Sequence, residues 1–316
     1  MRYILRADSS LKSGSGHVMR LSAIAEELIA RGERVTFIGQ VAELPWLASR
    51  INELGFSQIL ESSAGYHSNS ATDVLILDSY TLPVDDSFIQ PNNWRRVVTI
   101  SDELTPPYLA DLIFHPSISE GWEPYSDVKF FSGPSYIPFR KSIIRFEKSP
   151  KNHRILEILI VGGGADPFNF VESIAKNIKH VQGQFRAILF SNNLSLAKLD
   201  YRFTCVPIGP ELDVYADSAE LVFTTASTTS LEFIAREMAV GIGCAVDNQK
   251  EFYKSLTQNG VAVPIGQFTE GKWNLDDQRI SEMIHSKVLR EKLIKNSLGI
   301  LDLQGASRIV DEILKI

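Results

Sequence analysis

The sequence predicts an α/β chain of two Rossmann-like domains, and three observations carry that expectation. Short β-rich runs alternate with segments of helical period. The alternation occurs twice, once in each half. Each half opens on a strand that runs into a glycine-rich turn. With 316 residues the chain exceeds a typical single core and accommodates two domains of about 150 residues each.

In the first half the β-rich runs are YILRA (3–7), RVTFIG (34–39), DVLILD (73–78), RRVVTIS (95–101) and ADLIFH (110–115). Between the first two, Val18, Leu21, Ala25 and Leu28 recur at helical spacing as one apolar stripe, with Gly32 as its C-cap. The second half opens on ILEILIVGG (155–163). In the following ADPFNFVESIAKNIKHV, Asp166 is placed to cap a helix and Pro167 to take its first position. FRAILFS (185–191), ELVFTTA (220–226), SLEFIAREMA (230–239) and VGIGCAV (240–246) continue the scheme. Such alternation implies parallel sheets with helices on both faces. The basic, polar stretch RKSIIRFEKSPKNHR (140–154) reads as a linker. The expected domains are therefore 1–148 and 149–316, facing each other across a cleft, with the last helix packing back on the first domain. Ligands of open α/β sheets sit beyond the C-terminal ends of the strands, where the turns 13–17 and 162–166 are expected to open.

Composition narrows the function classes. The chain is 44% hydrophobic and 22% charged, ordinary for a soluble globular protein. No apolar run approaches the roughly 20 residues that cross a bilayer, and MRYILRADSS reads as a first strand rather than a signal peptide. Cys205 and Cys244 are too few for a disulfide framework and are expected to be buried free thiols of a cytoplasmic protein. A net charge of −6 argues against nucleic acid as partner but leaves room for an anionic small molecule held locally.

The turn GSGHVM has Gly14 and Gly16 but Met19 where a dinucleotide fingerprint has its third glycine; GGGADP fails likewise at Pro167. Neither continues as a phosphate-binding Gly-Lys-Ser/Thr loop, so a nicotinamide enzyme and a P-loop ATPase both lose support. What remains is a strand, a loop whose glycines admit a ligand, and His17 at a helix N-terminus. The positive end of the helix disfavours imidazolium there, so His17 is expected to be neutral and able to take a proton beside an anionic leaving group. The competing reading is a histidine that only caps the helix. Arg20, one turn on, reaches either a phosphate or a structural carboxylate. Asp8, after the first strand, either orients an imidazole or caps a turn. The six histidines are scattered and no acidic pair stands near His17 in the sequence, so no metal site is expected.

RADSSLKSGSGHVMR resembles the opening of the UDP-sugar hydrolases of the pseudaminic acid pathway, a branch of the MurG-like glycosyltransferase-B fold. LDSY (77–80), SGPSYIPFRKSI (132–143), VGGGADPFN (161–169), TTASTTSLEFIA with VDNQ, and LDLQGASRIV (301–310) extend the likeness along nearly the whole chain. The resemblance implies that His17 activates water for attack on the anomeric carbon. UDP then leaves with inversion, Tyr80 assists near the sugar, and no metal or other cofactor is needed. The implied substrate is a UDP-activated 2,4-diacetamido-2,4,6-trideoxyhexose. Gly14, Gly16 and Arg20 are expected on the sugar side. Independently of the likeness, Ser227, Thr228 and Thr229 open a helix after a strand and form a ready diphosphate cradle, with Gly163 and Gly164 admitting close approach. Glu232 is expected to bind the ribose hydroxyls; its competing reading is a Thr229–Glu232 capping box. Asn248 and Gln249 fall where the family contacts its ligand. The chain departs from the family at Ser101, in the SDE segment that includes Asp102, and at His115 and Ala226. Ser101 and His115 bear on which sugar is bound, and Ala226 on the diphosphate loop. The alternative function is a glycosyltransferase of the same fold, in which His17 deprotonates an acceptor hydroxyl.

Overall fold

The computed structural model describes residues 1–79, 82–102, 109–119, 128–144 and 155–316. It divides into two compact units: Met1–Ile144 with Leu301–Ile316, and Arg145–Ile300. Of the stretch 140–154 expected as a linker, Lys141–Ile144 form a short helix and 145–154 lie outside the described residues, as does Tyr80.

Unit 1 contains β1 (Arg2–Arg6), α1 (Gly16–Ala30), β2 (Arg34–Ile38), α2 (Pro45–Glu53), β3 (Gln58–Leu60), β4 (Asp73–Leu77), β5 (Arg96–Ile100), β6 (Leu112–Pro116), β7 (Lys129–Gly133) and α3 (Lys141–Ile144). Its sheet is parallel throughout, in the order β3-β2-β1-β4-β5-β6-β7. β4 lies in mid-sheet and is buried at every position, which is why, after Asp73 paired with Arg2, it reads as a continuous apolar run, Val74–Leu77, rather than an alternating one. Ile4, Ile38, Leu75, Leu77 and Val97 close one core face with Ile89 and Trp94. The stripe Val18, Leu21, Ala25 and Leu28 is buried on α1. That helix ends where expected, because Gly32 takes φ +83° and the next amide, Glu33 N–H, reaches back to Leu28 O.

Unit 2 contains β8 (Leu156–Val161), α4 (Phe170–Ile178), β9 (Phe185–Phe190), β10 (Phe203–Val206), α5 (Leu212–Ser218), β11 (Leu221–Thr225), α6 (Thr228–Ala235), β12 (Ala239–Cys244), α7 (Lys250–Gln258), β13 (Ala262–Thr269), β14 (Lys272–Leu275), α8 (Asp277–His285) and α9 (Lys287–Ser297). The sheet order β10-β9-β8-β11-β12-β13-β14 repeats that of unit 1. Ile158, Ile160, Phe170, Ile174, Leu189 and Phe223 belong to its core. One strand breaks the expected all-parallel pattern: β14 runs antiparallel to β13. Glu270 and Gly271 both take positive φ (54° and 76°), the backbone of a two-residue hairpin turn.

α10 (Gly305–Leu314) belongs to unit 1. Arg31 at the end of α1 donates to Asp311 (2.6 Å) and to the Ser307 hydroxyl (2.8 Å), and Arg308 donates to Ser135 O (3.1 Å). A Cβ on Gly305 would stand 2.0 Å from Ile137 O, so only glycine lets the helix start there. Among the described residues no helix is long and apolar enough to cross a membrane.

Candidate active site

Each sheet has a point where the chain, having built strands to one side, returns to build on the other. A crevice opens there beyond the carboxyl ends of the strands. In unit 1 it lies between the neighbours β1 and β4, in unit 2 between β8 and β11. Gly14, Gly16 and His17 follow β1, Gly163 and Gly164 follow β8 and Ser227 follows β11, whereas Asn248 and Gln249 follow β12.

In unit 1 the turn after β1 is tied by Gly14 N–H to Ser10 O (2.9 Å) and by Ser13 N–H to Ser10 Oγ (2.9 Å). Gly14 has φ +75°, and Gly16 begins α1. His17 is thus the second residue of the helix. Its Nδ1 lies 2.6 Å from Oδ1 of Asp78, the residue that immediately follows β4. Parallel register sets Arg6 beside Leu77, and Asp78 N–H donates to Arg6 O (3.1 Å), which carries the carboxylate to the head of α1.

Asp78 also accepts from Arg20 Nε (2.7 Å) and Nη2 (2.8 Å), while Arg20 Nη1 donates to Asp102. Burial favours the neutral acid at Asp78, but the charges and hydrogen bonds of Arg20 and His17 overcome it and hold the carboxyl down at about 2. An ionised carboxylate only accepts. The proton between them therefore sits on His17 Nδ1, and in the neutral imidazole that tautomer leaves Nε2 its lone pair. Arg20 takes the carboxylate alternative of the sequence reading: its guanidinium is on Asp78 and Asp102. Asp8 takes the turn-capping alternative, since it pairs with Arg6 (2.7 Å) and accepts from Gln40 N–H (2.9 Å).

The expectation that no acidic pair stands near His17 is corrected by the fold. Asp78 and Asp102 are both linked to it, directly and through Arg20, because β4 ends beside β1 and β5 beside β4. The sequence singles out Tyr80 in LDSY, whereas the structure places Asp78 of that segment on His17. The available signal was the place of Asp78 at the end of the strand that neighbours β1. His115 closes β6 and is buried; its Nδ1 is 3.0 Å from Ser101 O, to which it donates, and burial pushes its pKa below the ordinary value.

In unit 2 Gly163 has φ +88° with open space where a Cβ would stand, and Gly164 follows it. Asp166 caps α4 by accepting from Phe170 N–H (2.8 Å) and Val171 N–H (3.1 Å). The helix begins at Phe170, not Pro167, because Asp166 and Asn169 both take positive φ (49° and 52°) and delay it. Burial pushes Asp166 up to about 6 despite those two bonds. Its carboxyl occupies the space beside Gly162, where a Cβ would meet Oδ1 at 2.1 Å.

Across the reversal point, Ser227 is the N-cap of α6 and makes no side-chain cap bond; its hydroxyl donates to Thr225 O (3.4 Å). The helix begins at Thr228, so Thr229 is inside it and the Thr229–Glu232 capping box does not form at this helix end. Thr228, Thr229 and Glu232 are half-buried. Ala226 is buried with no positive φ, so alanine is unstrained there. Asn248 is exposed, whereas Gln249 spends its side-chain oxygen on Ala245 N–H (2.8 Å). Among the described residues no group of three or more His, Cys, Asp or Glu is placed to hold a metal ion.

No protein-family model matches the sequence, and no curated protein matches it. Solved structures do. MurG of Acinetobacter baumannii superposes with a TM-score of 0.63 at 14% identity, covering 100% of both chains. The spinosyn forosaminyltransferase SpnP gives 0.66 at 12% identity, covering 100% of this chain and 98% of its own. A putative UDP-N-acetylglucosamine 2-epimerase from Listeria monocytogenes gives 0.61 at 10% identity, covering 99% and 95%. At these identities the likeness is one of fold. The chain has the two-unit α/β architecture of the MurG-like, glycosyltransferase-B fold.

Proposed function

We propose that the chain uses a UDP-sugar and that His17 is the base of a single inverting displacement at the anomeric carbon. The observation that carries this is the bond from His17 Nδ1 to a buried, ionised Asp78, which leaves Nε2 able to accept a proton. A bond forms between the nucleophile oxygen and the anomeric carbon. The bond from that carbon to the phosphate oxygen breaks, its electron pair leaves with UDP, and the nucleophile's proton passes to Nε2. Tyr80 assists near the sugar, and the turn of Gly14 and Gly16 serves the same side. In unit 2 the amides that open α6, with Ser227, Thr228 and Thr229, bind the departing diphosphate. Gly163 and Gly164 let backbone approach it, Glu232 takes the ribose hydroxyls, and Asn248 and Gln249 complete the nucleotide side.

The nucleophile is an acceptor hydroxyl in the reading that the transferases of like fold support. A second reading, water as nucleophile and release of a free 2,4-diacetamido-2,4,6-trideoxyhexose in a cytoplasmic pathway, is favoured by the segment RADSSLKSGSGHVMR. The test is UDP release from a panel of UDP-sugars with and without candidate acceptors. Release that requires an acceptor supports transfer, and release in buffer alone supports hydrolysis. No release under either condition, across acylamino-sugar donors, overturns the proposal.

A further inference from the structure

Asp78 is 1% exposed, and a carboxyl so placed is driven toward its neutral form. A neutral Asp78 would donate its proton to His17 Nδ1. The imidazole would then carry its own proton on Nε2 and have no lone pair to offer the nucleophile. Balancing Asp78 with an imidazolium is no better, since both ring nitrogens are then occupied. Arg20 prevents both outcomes. Its side chain is 3% exposed and lies one helical turn after His17. Two of its nitrogens grip the two oxygens of Asp78 at 2.7 and 2.8 Å, and the third goes to Asp102, whose side chain is 40% exposed. The guanidinium is thereby fixed between carboxylates that follow two adjacent strands, β4 and β5. Among the described residues this field also holds His115 near the end of β6, which feels both Asp102 and Arg20 and is itself held toward its neutral form by burial.

We infer that Arg20 is a positioning residue: it keeps Asp78 an ionised, fixed acceptor, so that His17 holds its proton on Nδ1 and presents Nε2 as base, with Asp102 locking the far side of the guanidinium. This rests on the base role proposed for His17, but its direct consequence is a tautomer that exists with or without substrate. Lysine cannot replace Arg20, because one ammonium cannot span both oxygens of Asp78 and also reach Asp102 as the planar fork does.

The experiment is 15N NMR of the imidazoles in the full chain at pH 7, for the wild type, Arg20→Lys, Arg20→Met and Asp102→Asn, with His17→Asn assigning the resonance. Wild-type His17 is expected as the Nδ1–H tautomer, Asp102→Asn as the same, Arg20→Lys as a mixture, and Arg20→Met as the Nε2–H form or the imidazolium. In turnover, Arg20→Lys is expected to lower kcat about 10- to 100-fold with KM within about twofold and to move the acid limb of the kcat profile to higher pH. A structural role alone moves neither the tautomer nor the limb. The Nδ1–H form retained in both Arg20 variants, with an unmoved acid limb, overturns the inference. Should Arg20→Met fail to fold, Arg20→Lys decides. If the wild type turns over no UDP-sugar, the proposed function falls while the imidazole spectra still decide the role of Arg20.

Discussion

Asp166→Asn is expected to remove a pH dependence of stability that the wild type carries between about pH 4 and 6. The side chain sits in the turn after β8, capping α4 through two amides, with its carboxyl against Gly162. Burial raises its pKa from the ordinary 3.8 to about 6, with Glu172 adding to the effect and the two amides opposing it. A group whose pKa is higher folded than unfolded binds more protons in the native state between those values. Stability from this residue is therefore fully present below about pH 4 and declines as pH rises through 6. At 1.36 kcal/mol per pH unit the full effect is about 3 kcal/mol, an upper figure because the residue is partly exposed. Asparagine keeps an acceptor for one amide, turns an NH2 that cannot accept toward the other, and does not titrate. Urea midpoints at half-unit pH steps give the wild-type-minus-variant difference, in which the contributions of Asp73, Asp78, Asp200 and Asp302 cancel. The difference should fall by about 1–3 kcal/mol from pH 4 to 6.5. A flat or rising difference refutes the reasoning.

Asp78→Asn is expected to lower turnover by about 10³-fold, since an amide nitrogen facing Nδ1 selects the wrong tautomer. Its pKa near 2 also makes Asp78 a source of about 2 kcal/mol of stability that is present above pH 3.8 and lost as pH falls through 2, read as a loss of the wild type's acid limb in urea titrations of the variant. Glu232→Ala should weaken UDP binding about 10-fold or more by calorimetry; unchanged affinity removes the ribose assignment. Gly305→Ala should cost about 1–3 kcal/mol in unit 1 by thermal or urea unfolding, because its Cβ has nowhere to go beside Ile137 O. A neutral result there would show that α10 shifts freely.

The central strands of both sheets were legible because a buried parallel strand is a nearly continuous apolar run, as in the VLIL of DVLIL and the ILIV of LEILIV. The end of α1 was legible because Gly32 alone carries its positive φ cheaply. The edges were not. β3 is three residues long, and the β13–β14 hairpin rests on a Glu-Gly turn weaker in signal than Asn-Gly. The start of α4 lies later than the sequence predicts because Asp166 caps from four and five residues back rather than from the usual position. At the site, His17 was found from its local setting of strand, glycines and helix. Its partner Asp78 is 61 residues away and becomes a neighbour only through the pairing of β1 with β4, which local periodicity cannot reveal. The same holds for Asp102, which joins the cluster through β5.

The central claim is that His17 takes the nucleophile's proton as UDP leaves. The most direct measurement is the rate of UDP release by the wild type and by His17→Asn, at saturating UDP-sugar, with nucleotide affinity measured alongside. The account predicts a loss of about 10²–10⁴ in kcat with UDP affinity retained. A near-normal rate in His17→Asn would contradict it.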